Sequence, residues 1–179
     1  GQSFSINEQG LKIDFELFEG KYLRQKAFYP SGFEFENYFQ TTYQNQNLDV
    51  SLHCTGENPH ALHCLKLSGG NPGISLLYVG KKELKTDFGK RIILTQKDPQ
   101  LNLKVESFYE FFDDCSTIRR YTKLTNEGTK AIGIEYVSSA MINNIGNFGP
   151  GNITEKLSII KANNSWKGEG QWDSFSPDE

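Results

Sequence analysis

The chain is poor in the residues that most enzyme signatures need. It has a single methionine, two tryptophans and three histidines, and the histidines (His53, His60 and His63) all fall in one short stretch. With no G-x-S-x-G elbow, a serine–histidine–acid triad has no material to draw on, and the absence of G-x-G-x-x-G or a phosphate loop sets nucleotide chemistry aside. Its apolar runs, such as Ile74 to Val79, are strand-sized and far short of the roughly 20 residues that span a bilayer as a helix, so no membrane partner is expected. Nor is there an excess of one charge. The formal net charge is -3, and the 19 basic residues are scattered along the sequence. That pattern offers no electrostatic footprint for nucleic acid. Three cysteines are an odd number, so at least one thiol is unpaired within a monomer and the count fixes no compartment. The start, GQSFSIN, has neither the basic residues nor the apolar stretch of a secretory signal, which fits either a cytoplasmic protein or a secreted or periplasmic one whose signal has been removed.

What the chain does have is aromatic residues, 13 Phe and 8 Tyr among 179 positions. Phe and Tyr suit pleated, half-buried surfaces, and a chain of this length buries on the order of 70% of its unfolded surface as one domain. The expectation is a single all-β domain over residues 1–179.

Alternation supports that expectation. Leu11, Ile13, Phe15 and Leu17 share one face of a strand over Leu11 to Phe18. Tyr22 to Gln46 reads as strand pieces followed by an aromatic loop, Phe28 to Tyr43. Leu48 to Cys54 and Ala61 to Leu67, separated by the turn residues TGENP, read as a hairpin. Ile74 to Val79 is apolar throughout, as in a central strand covered on both faces. Arg91 to Gln96 and Leu101 to Phe112 follow, the latter with Leu101, Leu103, Val105, Tyr109 and Phe111 on one side and Lys104, Glu106 and Glu110 on the other, among solvated charges. Thr117 to Thr125 and Ala131 to Ser139 are joined at Asn126-Glu127-Gly128-Thr129 and complete an antiparallel meander. Turns every 8 to 12 residues are the rhythm of a sandwich. Only Glu155 to Ala162 is ambiguous between strand and helix, and the tail SFSPDE reads as a linker or cut point.

Several constellations could carry chemistry. His53, Cys54, His60, His63 and Cys64 are the densest set of soft ligands, yet no C-x(2–4)-C or H-x(3–5)-H pair occurs, and neighbouring residues of a strand point to opposite faces. The set leaves open a structural metal, a Cys54–Cys64 disulfide or ordinary buried thiols; no metal and no cofactor is expected. Asp113-Asp114 is the one adjacent aspartate pair, and it sits where a turn favours Asp. Arg119 and Arg120 must face opposite sides of their strand, so one guanidinium is expected to be partly buried with a carboxylate partner. Trp166, Glu169 and Trp172 bring both indoles together with a carboxylate, which suits either a stacked sugar or a packed neighbouring domain. No catalytic residue is assigned.

Read in order, GISLLYVGKKE, then RIILTQKDPQLNLKVESFYEFFDDCSTIRRYTKLTNEGTKAIGIEYVSSAMI, then EKLSIIKANNSWKGEGQW, the segment from Tyr78 to Trp172 resembles the N-terminal domain of the family 36 glycoside hydrolases, the α-galactosidases. The I-R-R-x-T-x-L-T-N-E-G pattern at Ile118 to Gly128 carries the likeness best, with the serine-ended strand at Val137 to Ala140 and the W-x-G-E-x-Q-W-like segment at Trp166 to Trp172. The H-x-L-K pattern at His63 adds a vaguer match. The resemblance implies an antiparallel β-supersandwich, similar to galactose mutarotase-like domains, ahead of a (β/α)8 barrel in the same polypeptide. It further implies that the barrel holds both catalytic aspartates of a retaining mechanism on galactose-containing oligosaccharides, and that the N-terminal domain supports homo-oligomers. The family's nucleophile follows a Lys-aromatic pair, whereas Trp172-Asp173 follows Gln171, so no catalytic aspartate is carried over. Such a domain can lend a loop to the mouth of the active site, and Tyr38 and Phe39 are the candidates for that contact. The alternative is a stand-alone carbohydrate-binding sandwich.

Overall fold

The computed structural model describes residues 2–34, 42, 46–56, 73–146, 148–163, 166–167 and 169–178. It is an all-β architecture with antiparallel strand pairing. The first layer begins with β1 (Ser3–Glu8), β2 (Leu11–Phe18) and β3 (Tyr22–Pro30), paired in that order. In β2, Ile13, Phe15 and Leu17 turn inward as the alternation requires. Asp14 is buried as well, beside a bulge at Lys26 of β3 that shifts the register between Asp14 and Phe15. The Asp14 carboxylate then accepts a 2.7 Å hydrogen bond from Tyr29 Oη, which satisfies it inside the layer.

The segment that leads into β4 (Leu52–Cys54) joins this layer through the isolated bridge Arg24–Leu48. The second layer is a four-stranded meander, β5 (Leu77–Thr86), β6 (Gly89–Asp98), β7 (Leu103–Phe112) and β8 (Cys115–Asn126). Ile6, Ile13, Phe15, Leu17 and Leu23 from the first layer pack against Ile92, Leu94, Tyr109 and Phe111 from the second. Val50, Leu52, Cys54 and Leu76 pack on Leu103 and Val105. Each such fully buried side chain contributes about 1.5–3 kcal/mol, which makes these two clusters the principal adhesive of the sandwich.

Three expectations fail. The strand after the Asn-Glu-Gly turn, β9 (Ile134–Val137), does not pair with β8; it crosses to the first layer and pairs with β4. Its turn explains why. Asn126 Nδ2 donates to the Lys130 carbonyl, and the Glu127 amide donates to the Asn102 carbonyl, so the chain is turned away from β8 before a ladder can start. Gly133 lets the crossing chain close on Thr55, since an added Cβ there would lie 2.5 Å from its Oγ1. The apolar run at Ile74 does not make a central strand: Gly73–Ser75 is a 3-10 turn, and β5 is the lysine-rich edge of its sheet. Glu110, expected among solvated charges, is only 2% exposed. The ambiguous region resolves into one helical turn, α1 (Ile153–Lys156), and a hairpin of β10 (Ile159–Asn163) with β11 (Gln171–Phe175). The hairpin of β4 with Ala61 to Leu67 lies outside the described residues.

Candidate functional site

Between the layers lies a polar network whose centre is Asp49. The segment before β4 carries its carboxylate into the sandwich, where the side chain has no exposure. Ser107 and Tyr109, two inward positions of β7, both donate to it. Arg120, on the inward side of β8, adds Nη2 at 3.4 Å and stacks its guanidinium 4.8 Å from the Tyr109 ring centre. The same Arg120 donates to the carbonyls of Tyr121 at 2.6 Å and Ser139 at 3.1 Å. It therefore joins β8 to the chain that follows β9. The expectation that one member of Arg119-Arg120 is buried with a carboxylate is met by Arg120 and Asp49.

The network continues through Gln25. Its Nε2 donates to Tyr109 Oη at 3.3 Å, and its Oε1 accepts from the Asn143 amide at 2.8 Å. Asn143 in turn donates to the Leu48 carbonyl at 3.0 Å. Burial pushes the Tyr109 hydroxyl well above the usual phenol range, and the neighbouring Asp49 charge pushes the same way. Burial opposes the charge on Arg120, but Asp49 and Tyr109 outweigh it and raise that group above its ordinary value. Burial lowers Arg24 to about 10 against the pull of Tyr22, Glu16 and Glu19. Both Asp49 oxygens are thus occupied by internal donors. The carboxylate is held fixed by these donors, which is a structural task.

The residues singled out from the sequence lie elsewhere. Trp166 is 95% exposed in the hairpin turn, and Trp172 on β11 is 69% exposed opposite Ala162. Glu169 is exposed in the same turn, and the three make no hydrogen bond, ion pair or ring contact with one another among the described residues. Ile159, Ile160 and Phe175 leave further apolar surface open on the hairpin. Two strands alone are marginal in water, so a hairpin apolar on both faces needs a cover. Tyr38 and Phe39 lie outside the described residues.

Asp113-Asp114 forms the β7–β8 turn, with Asp114 in the left-handed region at φ 59°. That is the turn role expected for it. His53 Nδ1 lies 3.2 Å from Glu135 across the β4–β9 pair, and Cys54 is buried in the core; His60, His63 and Cys64 lie outside the described residues. Among the described residues no group of three His, Cys, Asp or Glu could hold a metal ion, and no helix is long and apolar enough to cross a membrane.

Asp49, Gln25 and Asn143 were missed in the sequence. The one available signal was Arg120, whose inward parity demanded a carboxylate partner without saying which.

Residues 37–144 match the family model of the glycosyl hydrolase family 36 N-terminal domain, more than half of the chain and a span that takes in β4 to β9. No curated protein and no solved structure matches the chain significantly.

Proposed function

The chain belongs to the glycosyl hydrolase family 36 N-terminal domains, and from that premise we propose that it is the non-catalytic N-terminal domain of an α-galactosidase. The parent enzyme hydrolyses terminal α-galactosides with retention, and residues 1–179 form one domain that stands ahead of its (β/α)8 barrel. The family match over residues 37–144 is the observation that carries this reading. The hairpin supports it: Ile159, Ile160, Trp172 and Phe175 leave an apolar surface of the kind a neighbouring domain covers. The Asp49 network supports it in another way, since it spends the buried charges of the sandwich on holding the loops before β4 and after β9 in place. In this account the domain buttresses the barrel and the homo-oligomer, and its aromatic loop narrows access for galactose-containing oligosaccharides.

The test is hydrolysis of an aryl α-galactoside by the full-length gene product, with the first-formed anomer followed by NMR. α-Galactose from the full-length protein and no turnover by residues 1–179 is the expected result. Turnover by the 179-residue chain, or none by the full-length protein, overturns the proposal. The exposure of Trp166 and Trp172 favours one second reading, a stand-alone sugar-binding module. It requires the isolated chain to bind neutral galactosides and Trp172→Ala to abolish that binding.

A further inference from the structure

The outward face of the β5–β8 sheet carries a second arrangement of side chains, unrelated to the network inside. Register places Lys82, Ile93, Phe108 and Tyr121 in one row across the four strands. Three inter-strand spacings make that row roughly 14 Å long. Phe108 and Tyr121 stack with centroids 4.6 Å apart and planes 11° apart. Because β8 is the edge strand, the Tyr121 ring face turned from Phe108 looks out over the edge of the sheet. Arg119 and Lys123 stand two residues to either side of Tyr121 on the same strand face, each about 7 Å along the strand.

These cations are under-compensated. Two carboxylates flank the row: Glu106 stands opposite Lys123 in register and lies 3.9 Å from Lys104, and Glu110 stands opposite Arg119, where Arg91 already engages it through Nε at 2.8 Å and Nη2 at 2.7 Å. Tyr121 Oη donates to the same oxygen at 3.1 Å. Arg119 shares the other oxygen at 3.2 Å, so two guanidiniums divide one negative charge, and Arg119 remains 61% exposed. Lys82 and Lys123 are exposed and have no ion-pair partner among the described residues. Burial and the Glu110 hydrogen bond raise Tyr121 above the ordinary phenol range, which keeps it a neutral donor with its ring fixed.

We propose that this face is a binding site for an acidic oligosaccharide, with one sugar ring seated on the open face of Tyr121 and its carboxylate or sulfate held by Arg119 and Lys123. The ring supplies a flat apolar floor, and the cations on both sides accept anionic substituents pointing either way along the strand. An acidic peptide is disfavoured because peptides are read through main-chain hydrogen bonds along a sheet edge, whereas these groups point off the sheet face. The inference goes beyond α-galactoside cleavage and needs no part of a barrel.

Calorimetric titration of the 179-residue chain with oligogalacturonate, with a sulfated galacto-oligosaccharide and with a neutral one tests it. The expected result is salt-sensitive binding of at least one acidic sugar, weakened about tenfold or more by Arg119→Gln with Lys123→Gln. Oligogalacturonate alone binding identifies a carboxylate ligand; the sulfated sugar binding identifies a sulfate ligand. Any affinity for the neutral sugar should be unmoved by the two substitutions. Lys123→Gln alone removes an exposed, unpaired amine, so it reports on the site even if Arg119→Gln perturbs the fold. No binding of either acidic sugar, binding indifferent to Lys123→Gln, or equal displacement by polyglutamate overturns the proposal.

Discussion

Removal of the Asp49 carboxylate should be among the most damaging single changes available to this fold. In Asp49→Ala the Arg120 guanidinium keeps its burial, with 7% of its side chain exposed, and loses its counter-charge. Ser107 and Tyr109 lose their shared acceptor at the same time. Deleting one member of a buried pair costs about 3–5 kcal/mol, because the survivor is left charged and unsolvated. Against a total stability of about 5–15 kcal/mol that is a large fraction. With a urea m-value of about 2 kcal/mol/M, the unfolding midpoint should fall by about 2 M. The cost comes from the orphaned charge, so Asp49→Ala combined with Arg120→Met should be much less unstable than the sum of the two single changes. Urea unfolding of the four proteins, followed by far-UV circular dichroism, measures the cycle. A midpoint shift below about 0.5 M for Asp49→Ala, or strict additivity in the double variant, would refute the reasoning.

The remaining predictions use other parts of the fold. Gly89 sits at φ 150°, and an added Cβ would lie 2.2 Å from the Phe111 carbonyl oxygen, so Gly89→Ala should lower stability by about 2 kcal/mol or more in the same assay. Gly20, at φ 73° with no neighbour within 4 Å, should lose only about 1 kcal/mol to backbone strain when changed to Ala. Tyr109 is raised from an ordinary value of 10.0. Its contribution is therefore complete below about pH 10 and is lost as pH rises above that, because the unfolded phenol releases a proton that the folded one keeps. Wild type should lose about 1.4 kcal/mol more per pH unit above pH 10 than Tyr109→Phe, as read from urea midpoints. Trp172 is 69% exposed, so Trp172→Ala should change the isolated chain by less than about 0.5 kcal/mol yet weaken the full-length protein measurably. Equal effects in both would remove the hairpin from the interdomain contact.

Parity was the part of the structure most legible in advance. The inward set of β7 (Leu103, Val105, Tyr109 and Phe111) follows from alternation alone, as does the placement of Arg119 and Arg120 on opposite faces. Pairing was less legible, because it depends on where a turn aims the chain. Asn126-Glu127-Gly128 has the composition of a hairpin turn, but the Glu127 amide spends its hydrogen bond on Asn102, and β9 joins β4. Burial of charge was least legible. Glu110 has outward parity and looks solvated, yet Arg91 and Arg119 close over it from the two neighbouring strands. The same effect hides the basic face: Arg119 is far from Arg91 in sequence, and only sheet register sets the two on either side of Glu110, with Lys123 one row beyond Tyr121. In the hairpin, the exposure of Trp166 and Trp172 follows from a sandwich core that already closes without them.

The most direct measurement is the reading frame downstream of Glu179 in the coding sequence. The account predicts that it continues into alternating strands and helices, with a Lys-aromatic-Asp at the end of one barrel strand. A stop codon directly after Glu179 would contradict it and leave sugar binding by the isolated sandwich as the activity to pursue.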